Sequence, residues 1–451
     1  MFRKRYYRHL IILLVGITFF AIIGCENQPK PAPLKPNEVA IAWAKLTLFI
    51  TQHTPSNSPT FASRAFGYIG LTMYESVVHG YEDYHSLEGQ LNELESLPKP
   101  DTEKQYDWVL SLNAAQASIL RDIYIQTSEE NVLKIDSLER RIYEQYSKNL
   151  KEDMVTNSIS FGKEVAQAIF EWSKTDGGHR GYLHNFDKEI IHPDFPGSWK
   201  PPLFAQSFSH HPLHPHWGEN RTFVSANAEV EDPEFLPYDT VPGSPYYKQF
   251  EAVYKKEREL TRAEKESAIW WGDDPDVSFT PPGHSYYIAT LAAESSGADL
   301  ITVAKAYAQT GISVADAFIE CWKWKYAFFT ERPNTFVPKY IDEEWESFWP
   351  DPPFPAFPSG HAIQAAAAAT ALEDNYGTNF KFTDRAHEGR ERDKVRDTDF
   401  TIRSFDSFWE AAQETADSRF YGGIHTPIDN EVGLAKGVEI ATNVNNLKWK
   451  N

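Results

Sequence analysis

Three short stretches of the chain carry residue types suited to holding a tetrahedral oxyanion. Lys325 and Arg332 stand seven residues apart, with Trp322 one turn before the lysine. Pro358-Ser359-Gly360-His361 opens a run of alanines, and Ser418-Arg419 precedes Gly422-Gly423-Ile424-His425-Thr426-Pro427-Ile428-Asp429. Three cations, a hydroxyl and free helix-start N–H groups can clamp the anion's oxygens. One histidine is then left to bond the central atom and another to move a proton. Alone, each stretch reads blandly, as a solvated basic face, a proline-rich loop entering a helix, or a helix start. Their joint presence points to chemistry.

The elements that must position these residues are helical. The prolines from Pro352 to Pro358 keep the chain extended, Ser359 is a good N-cap, and the alanines are strong helix formers. This spacing predicts a helix from His361 to about Tyr376, whose positive end seats an anion and whose Gly360 lets it approach the backbone. Lys325 and Arg332, two turns apart, share a face while their helix lasts, and Pro333 stops it there. Gly422-Gly423 ends a helix running from Ser404 to about Phe420. Thr426, Pro427 and Asp429 then supply cap, first position and capping-box partner for the last one, from Pro427 to about Asn443. Asp429 has two readings of equal weight, capping the helix or orienting His425.

Elsewhere, apolar residues recur at helical spacing over 37–53, 60–81, 102–124, 131–146, 152–172, 246–260, 262–271, 285–294 and 298–329, and strand alternation is nearly absent. The expected fold is all-α: two packed helical bundles with long aromatic- and proline-rich loops, an N-terminal half over 37–245 and a C-terminal bundle over 246–451 that carries the site. A long irregular collar, from Asp176 to about Ser244, includes Trp199, Pro212 and four histidines between His210 and His216. The intervening prolines deny those histidines a regular i, i+4 presentation, and no cysteine or carboxylate pattern completes a zinc set. Asp273-Asp274-Pro275-Asp276 lacks a calcium-loop pattern and reads as solvated or as partners for arginine. The charged stretch from Thr383 to Thr398 reads as a solvated excursion.

The chain has 451 residues and a formal charge of −20, which excludes nucleic acid as a partner and argues against binding anionic lipid by general electrostatics. It begins Met1-Phe2-Arg3-Lys4-Arg5, continues apolar from Leu10 to Ile23, and breaks at Gly24-Cys25. That is the form of an export signal over residues 1–24. Ile22-Ile23-Gly24-Cys25 resembles a bacterial lipobox, which implies lipidation of Cys25, a tether over 25–36, and an outer-membrane lipoprotein facing the periplasm or the cell surface. Cys321 is then the one remaining thiol, so no intramolecular disulfide forms.

The ordered set Lys-x6-Arg-Pro, Pro-Ser-Gly-His and Ser-Arg-x5-His-x3-Asp resembles the signature shared by vanadium-dependent haloperoxidases and the acid and lipid phosphatases related to them. The extra N-terminal half, the collar with Trp199 and His216-Trp217-Gly218, Thr280-Pro281-Pro282-Gly283-His284, and Trp322 before Lys325 are similar to the haloperoxidase branch. The resemblance implies vanadate as cofactor, bonded by a ring nitrogen of His425 and held through its oxygens by Lys325, Arg332, Ser359, Gly360, His361 and Arg419. It implies His361 as the group that deprotonates hydrogen peroxide and Lys325 as the group that polarises the oxygen attacked by halide, iodide and/or bromide, to give hypohalous acid. Trp322, Phe354 and Asp429 would surround the site, and a small organic acceptor is a further partner. The phosphatase alternative uses the same residues with a phosphohistidine at His425. A third alternative is a non-catalytic surface lipoprotein that binds ligands through its aromatic loops.

Overall fold

The computed structural model describes residues 32–201, 211–275 and 277–451. The export signal, Cys25 and most of the tether lie outside the described residues, as does His210. Residues Pro36–Asn451 form one compact unit. The described residues contain 14 α-helices and one two-stranded hairpin. None of the described helices is long and apolar enough to cross a membrane.

The helices are α1 (Pro36–Gln52), α2 (Pro59–Glu75), α3 (Trp108–Ile123), α4 (Glu129–Tyr146), α5 (Glu152–Ser173), the single turn α6 (Ser225–Ala228), α7 (Pro245–Arg258) and α8 (Arg262–Trp270). They continue with α9 (Thr280–Ser296), α10 (Leu300–Phe328), α11 (Pro333–Tyr340), α12 (Gly360–Tyr376), α13 (Phe408–Tyr421) and α14 (Pro427–Asn445). Side-chain caps explain most of the starts. Ser58, Asp107, Ser128, Ser244, Asp299, Ser359 and Ser407 each accept from an N–H of the first turn, and Thr261 makes a full capping box with Glu264.

Several boundaries differ from the periodicity reading, each for a local reason. Helix α13, expected from Ser404, starts at Phe408, because Arg403–Phe405 pairs as a strand and Ser407 supplies the cap. Helix α2 ends at Glu75, and the chain tightens into a 3₁₀ turn over Val78–Gly80. Helix α3 waits for its cap at Asp107, and α9 begins at Thr280, where Pro281 occupies a first-turn position that needs no N–H. Helix α11 occupies a stretch expected to be loop. There Pro333 begins a helix rather than ending one.

The core is organised around α10, a 29-residue helix buried on nearly all sides. Helix α2 crosses it in close backbone contact: a methyl added at Gly70 would lie 2.5 Å from the Tyr307 carbonyl oxygen. On the opposite side, α14 presses on α12 at Gly437, where a methyl would meet the Ile363 carbonyl at 2.2 Å. That crossing brings the two helix starts together, and the Ser359 N–H donates to the Asp429 carbonyl at 2.9 Å.

The collar covers one face. Trp322 Nε1 and Tyr326 Oη both donate to the Leu213 carbonyl, at 3.1 and 2.6 Å, while the Leu213 N–H donates to Pro353 at 2.8 Å. The excursion holds a short hairpin, β1 (Phe382–Asp384) against β2 (Arg403–Phe405), antiparallel with Asp384 opposite Arg403. It is not wholly solvated: Asp384 and His387 are buried.

Candidate active site

A cavity of roughly 310 Å³ opens where α10, α12 and the loop before α14 converge. Its polar wall contains Gly360, His361, Arg419 and His425, and its apolar wall Trp322, Phe318, Phe354 and Leu213. Residues of the N-terminal half, among them Asn57, Ser58 and Phe186, complete the rim. Lys325, Arg332 and Ser359 stand behind this surface and do not line it.

The turn between α10 and α11 decides where the two cations go. Helix α10 ends at Phe328, with Phe329 in the left-handed conformation at φ 51°, and Arg332 becomes the residue before α11. Lys325 and Arg332 therefore do not lie along one helix face, contrary to the spacing argument. Both instead organise the proline loop. Lys325 Nζ donates to the carbonyls of Pro355, Ala356 and Pro358 at 3.0, 2.7 and 2.6 Å. Arg332 donates from Nε and Nη2 to Phe354 at 3.1 and 3.0 Å, and from Nη1 to Ile424 at 2.8 Å. Phe354 lies between them, its ring centroid 5.1 Å from Lys325 Nζ and 5.3 Å from Arg332 Cζ, and 5.0 Å from the Trp322 ring. Burial pushes Lys325 down to about 7, with Arg332 adding to the effect, while three accepting carbonyls favour its ammonium form.

The helix start behaves as its sequence predicts. Ser359 caps α12 through the Ala362 N–H, Gly360 is its first residue, and a methyl at Gly360 would meet Trp322 at 3.5 Å and Lys325 Cε at 3.9 Å. Beneath it Cys321 is fully buried, its thiol 3.7 Å from the Pro358 carbonyl and pushed up to about 11 by burial.

His425 and Asp429 serve both readings of the acid at once. Asp429 Oδ2 lies 3.1 Å from His425 Nδ1 and accepts the Thr426 N–H at 3.0 Å. With Nδ1–H donated to the carboxylate, Nε2 carries the lone pair, and its one polar neighbour is Arg332 Nη1 at 3.5 Å. Burial holds His425 well below the usual histidine range, reinforced by Arg332, Lys325, Arg419 and His361. His361 is lowered in the same way, by burial and then by Arg419, against opposition from Asp273 and a backbone hydrogen bond to Trp271.

Arg419 Nη1 donates to the Trp271 carbonyl at 3.1 Å, and its Nε and Nη2 are buried without a protein partner. His361 Nε2 is likewise buried and unpartnered. Buried polar atoms are usually satisfied, so three unpartnered nitrogens on two residues that line one cavity with His425 suit an anion of several oxygens.

The spacing reading missed one wall. Gly272, Asp273 and Asp274 line the cavity, and Asp273 is buried rather than solvated, its Oδ2 2.6 Å from His284 Nδ1. The Thr280-Pro281-Pro282-Gly283-His284 motif was the available signal. Among the described residues, the collar histidines form no common site. His214 is buried against Thr60 and the Gly181 carbonyl, whereas His216 is exposed and pairs with Glu219 and Asp187.

A family model described as the VCPO second helical-bundle domain matches residues 305–449. The fold is similar to a crystal structure of the first bacterial vanadium-dependent iodoperoxidase, with 30% identity, TM-score 0.79, and coverage of 94% of this chain and 99% of that one. It is also similar to an apo-type bacterial vanadium-dependent chloroperoxidase, with 13% identity, TM-score 0.62, and coverage of 93% and 95%. The latter likeness is one of fold alone. No curated protein matches the chain.

Proposed function

Because the chain belongs to the vanadium-dependent haloperoxidase family, with vanadate as cofactor, we propose that it oxidises iodide, and with more difficulty bromide, to hypohalous acid with hydrogen peroxide. The carrying observation is that Arg419, His361 and His425 line one cavity while nitrogens of Arg419 and His361 are buried without a partner. These residues fit vanadate: His425 would bind it through Nε2, Arg419 and the Gly360 start of α12 would hold its oxygens, and Lys325 and Arg332, behind the wall, would offset its charge, with Ser359 setting the helix start. When bound, it supplies a Lewis acid that activates peroxide without changing oxidation state.

The protein's own part is positioning and proton transfer. Asp429 fixes the His425 tautomer and ring orientation. His361, neutral at physiological pH, accepts the peroxide proton at Nε2. Lys325 and Arg332 lock the Phe354–Pro358 loop against the cavity and supply its positive field, and Trp322, Phe318 and Phe354 exclude water where the halide enters. The 30% identical iodoperoxidase supports iodide as the halide, iodide also being the easiest to oxidise.

The sequence of residues 1–25 supports export and lipidation at Cys25, with the enzyme facing the periplasm or the cell surface. Failure of Cys25→Ser to release the protein from membranes would refute that part. The catalytic part is tested on the purified body, with and without vanadate, by peroxide-dependent oxidation of iodide and bromide alongside phosphomonoester hydrolysis. Hydrolysis without vanadate and without halide oxidation would instead establish the phosphatase chemistry.

A further inference from the structure

Behind the cavity, the excursion between α12 and α13 reaches back to the wall that the oxyanion site uses. His284 on α9 has both ring nitrogens on carboxylates: Nδ1 lies 2.6 Å from Asp273 Oδ2, and Nε2 2.7 Å from Asp384 Oδ2 on β1. All three side chains are buried. Carboxylates accept and do not donate when ionised, so a ring paired at both ends carries both protons. Asp384 is itself fixed by Trp270 Nε1 at 2.7 Å and by the Ala386 N–H at 2.8 Å.

The other oxygen of Asp273 accepts from Ser278 Oγ at 2.8 Å and lies 3.2 Å from His387 Nε2, off the angle that a hydrogen bond needs. Arg390 stands 3.2 Å from His387 Nδ1. Asp273, His284 and His387 are close enough for a metal ion. The donor pattern runs against one: His284 has no free lone pair, and Arg390 directs a proton at Nδ1 of His387, which places the ring proton on Nε2.

Asp273 sits in the left-handed region, φ 47°, a turn conformation that aspartate adopts more readily than most residues. The segment it belongs to carries the Trp271 carbonyl, which accepts from Arg419 Nη1, and the backbone hydrogen bond to His361. We propose that His284 is a positioning residue for the oxyanion site: an imidazolium clamped between Asp273 and Asp384, it fixes the Trp271–Asp274 segment on which Arg419 and His361 are aligned. The excursion is thereby part of the catalytic scaffold.

Electrostatics agree. Burial opposes charge on His284, but Asp273 and Asp384 outweigh it and raise the ring to about 10. Asp273 faces His284, His387 and Ser278 and feels Arg390, Arg419, Asp274 and His361. Burial would raise it, yet the two histidines hold it far below the carboxylate range.

The test uses the full body labelled with ¹⁵N-histidine, compared with His284→Gln and Asp384→Asn. At about pH 8, where an ordinary histidine is neutral, one ring retains both protons, and its signals vanish in His284→Gln. Because Asp273 then loses its cation, its carboxylate protonates at higher pH, and the acid limb of the kcat profile moves upward. A misaligned pocket also lowers kcat by about ten- to a hundredfold. Asp384→Asn, which leaves the Asp273 contact in place, gives smaller changes of the same sign. The activity readout rests on the haloperoxidase reading and the ring signals do not; if no halide is oxidised, vanadate affinity replaces kcat. A His284 that is neutral at that pH, stoichiometric zinc in the purified protein, or a His284→Gln profile and vanadate affinity matching wild type would overturn the proposal.

Discussion

One carboxylate oxygen, Asp429 Oδ2, holds both the His425 ring, 3.1 Å away at Nδ1, and the first turn of α14, 3.0 Å away at the Thr426 N–H. The anion-binding histidine and the helix start are therefore fixed by a single atom. Asp429→Ala should cost stability by about 1 kcal/mol, the usual worth of a cap, and should also weaken vanadate binding. His425→Ala should leave the cap intact and abolish halide oxidation. Thermal melts and vanadate titration on both variants separate the two effects.

His361 is expected to act on protons more than on affinity. His361→Ala should retain vanadate binding while kcat falls by roughly 10²–10⁴-fold, the range for loss of a general base. Unchanged kcat at saturating peroxide would remove His361 from the proton path.

Arg419 lowers His361, second only to burial. Removing that charge in Arg419→Gln raises the proton affinity of His361, so its basic form is lost at a higher pH. The acid limb of the kcat profile should shift toward neutrality, and vanadate affinity should fall. A limb that stays in place while affinity drops would show that Arg419 only binds the anion.

Lys325 spends its three donors on the proline loop. Lys325→Met leaves those carbonyls without a partner, and a buried orphan costs about 1–3 kcal/mol. Lower thermal stability is expected even without vanadate, together with a higher KM for peroxide as the loop loosens. A variant as stable as wild type would show that the carbonyls find other donors.

Vanadate should stabilise the folded body by mass action, about 2.7 kcal/mol at a hundredfold excess over Kd. Phosphate, of like shape and charge, should compete. Differential scanning calorimetry with both anions reads this directly, and no rise in Tm with vanadate would contradict the site.

The legible parts of the fold were those written in local chemistry. Ser359 before an alanine run, and Thr426-Pro427 ahead of Asp429, each specify a helix start within a few residues. Arg332 was misplaced because Pro333 fits a first helical position as well as a stop, and the left-handed turn at Phe329 has no glycine to announce it. Asp273 reads in sequence as solvated or as a partner for arginine because its actual partner, His284, and the Asp384 that holds the far side of that ring, come from other elements. No spacing rule joins a loop aspartate to a hairpin more than a hundred residues later.

The thiol beneath Gly360 bears on the lifetime of the enzyme. The proposed reaction would release hypohalous acid, a reagent that attacks thiolates and thioethers, those of the enzyme included. Cys321, raised to about 11, holds only about one thiolate in ten thousand at neutral pH, and it is sealed from solvent. Met73 is fully buried, and the whole sequence holds three methionines. The Cys321 thiol beneath the cavity wall is thus poorly placed to be consumed by the oxidant of the proposed reaction.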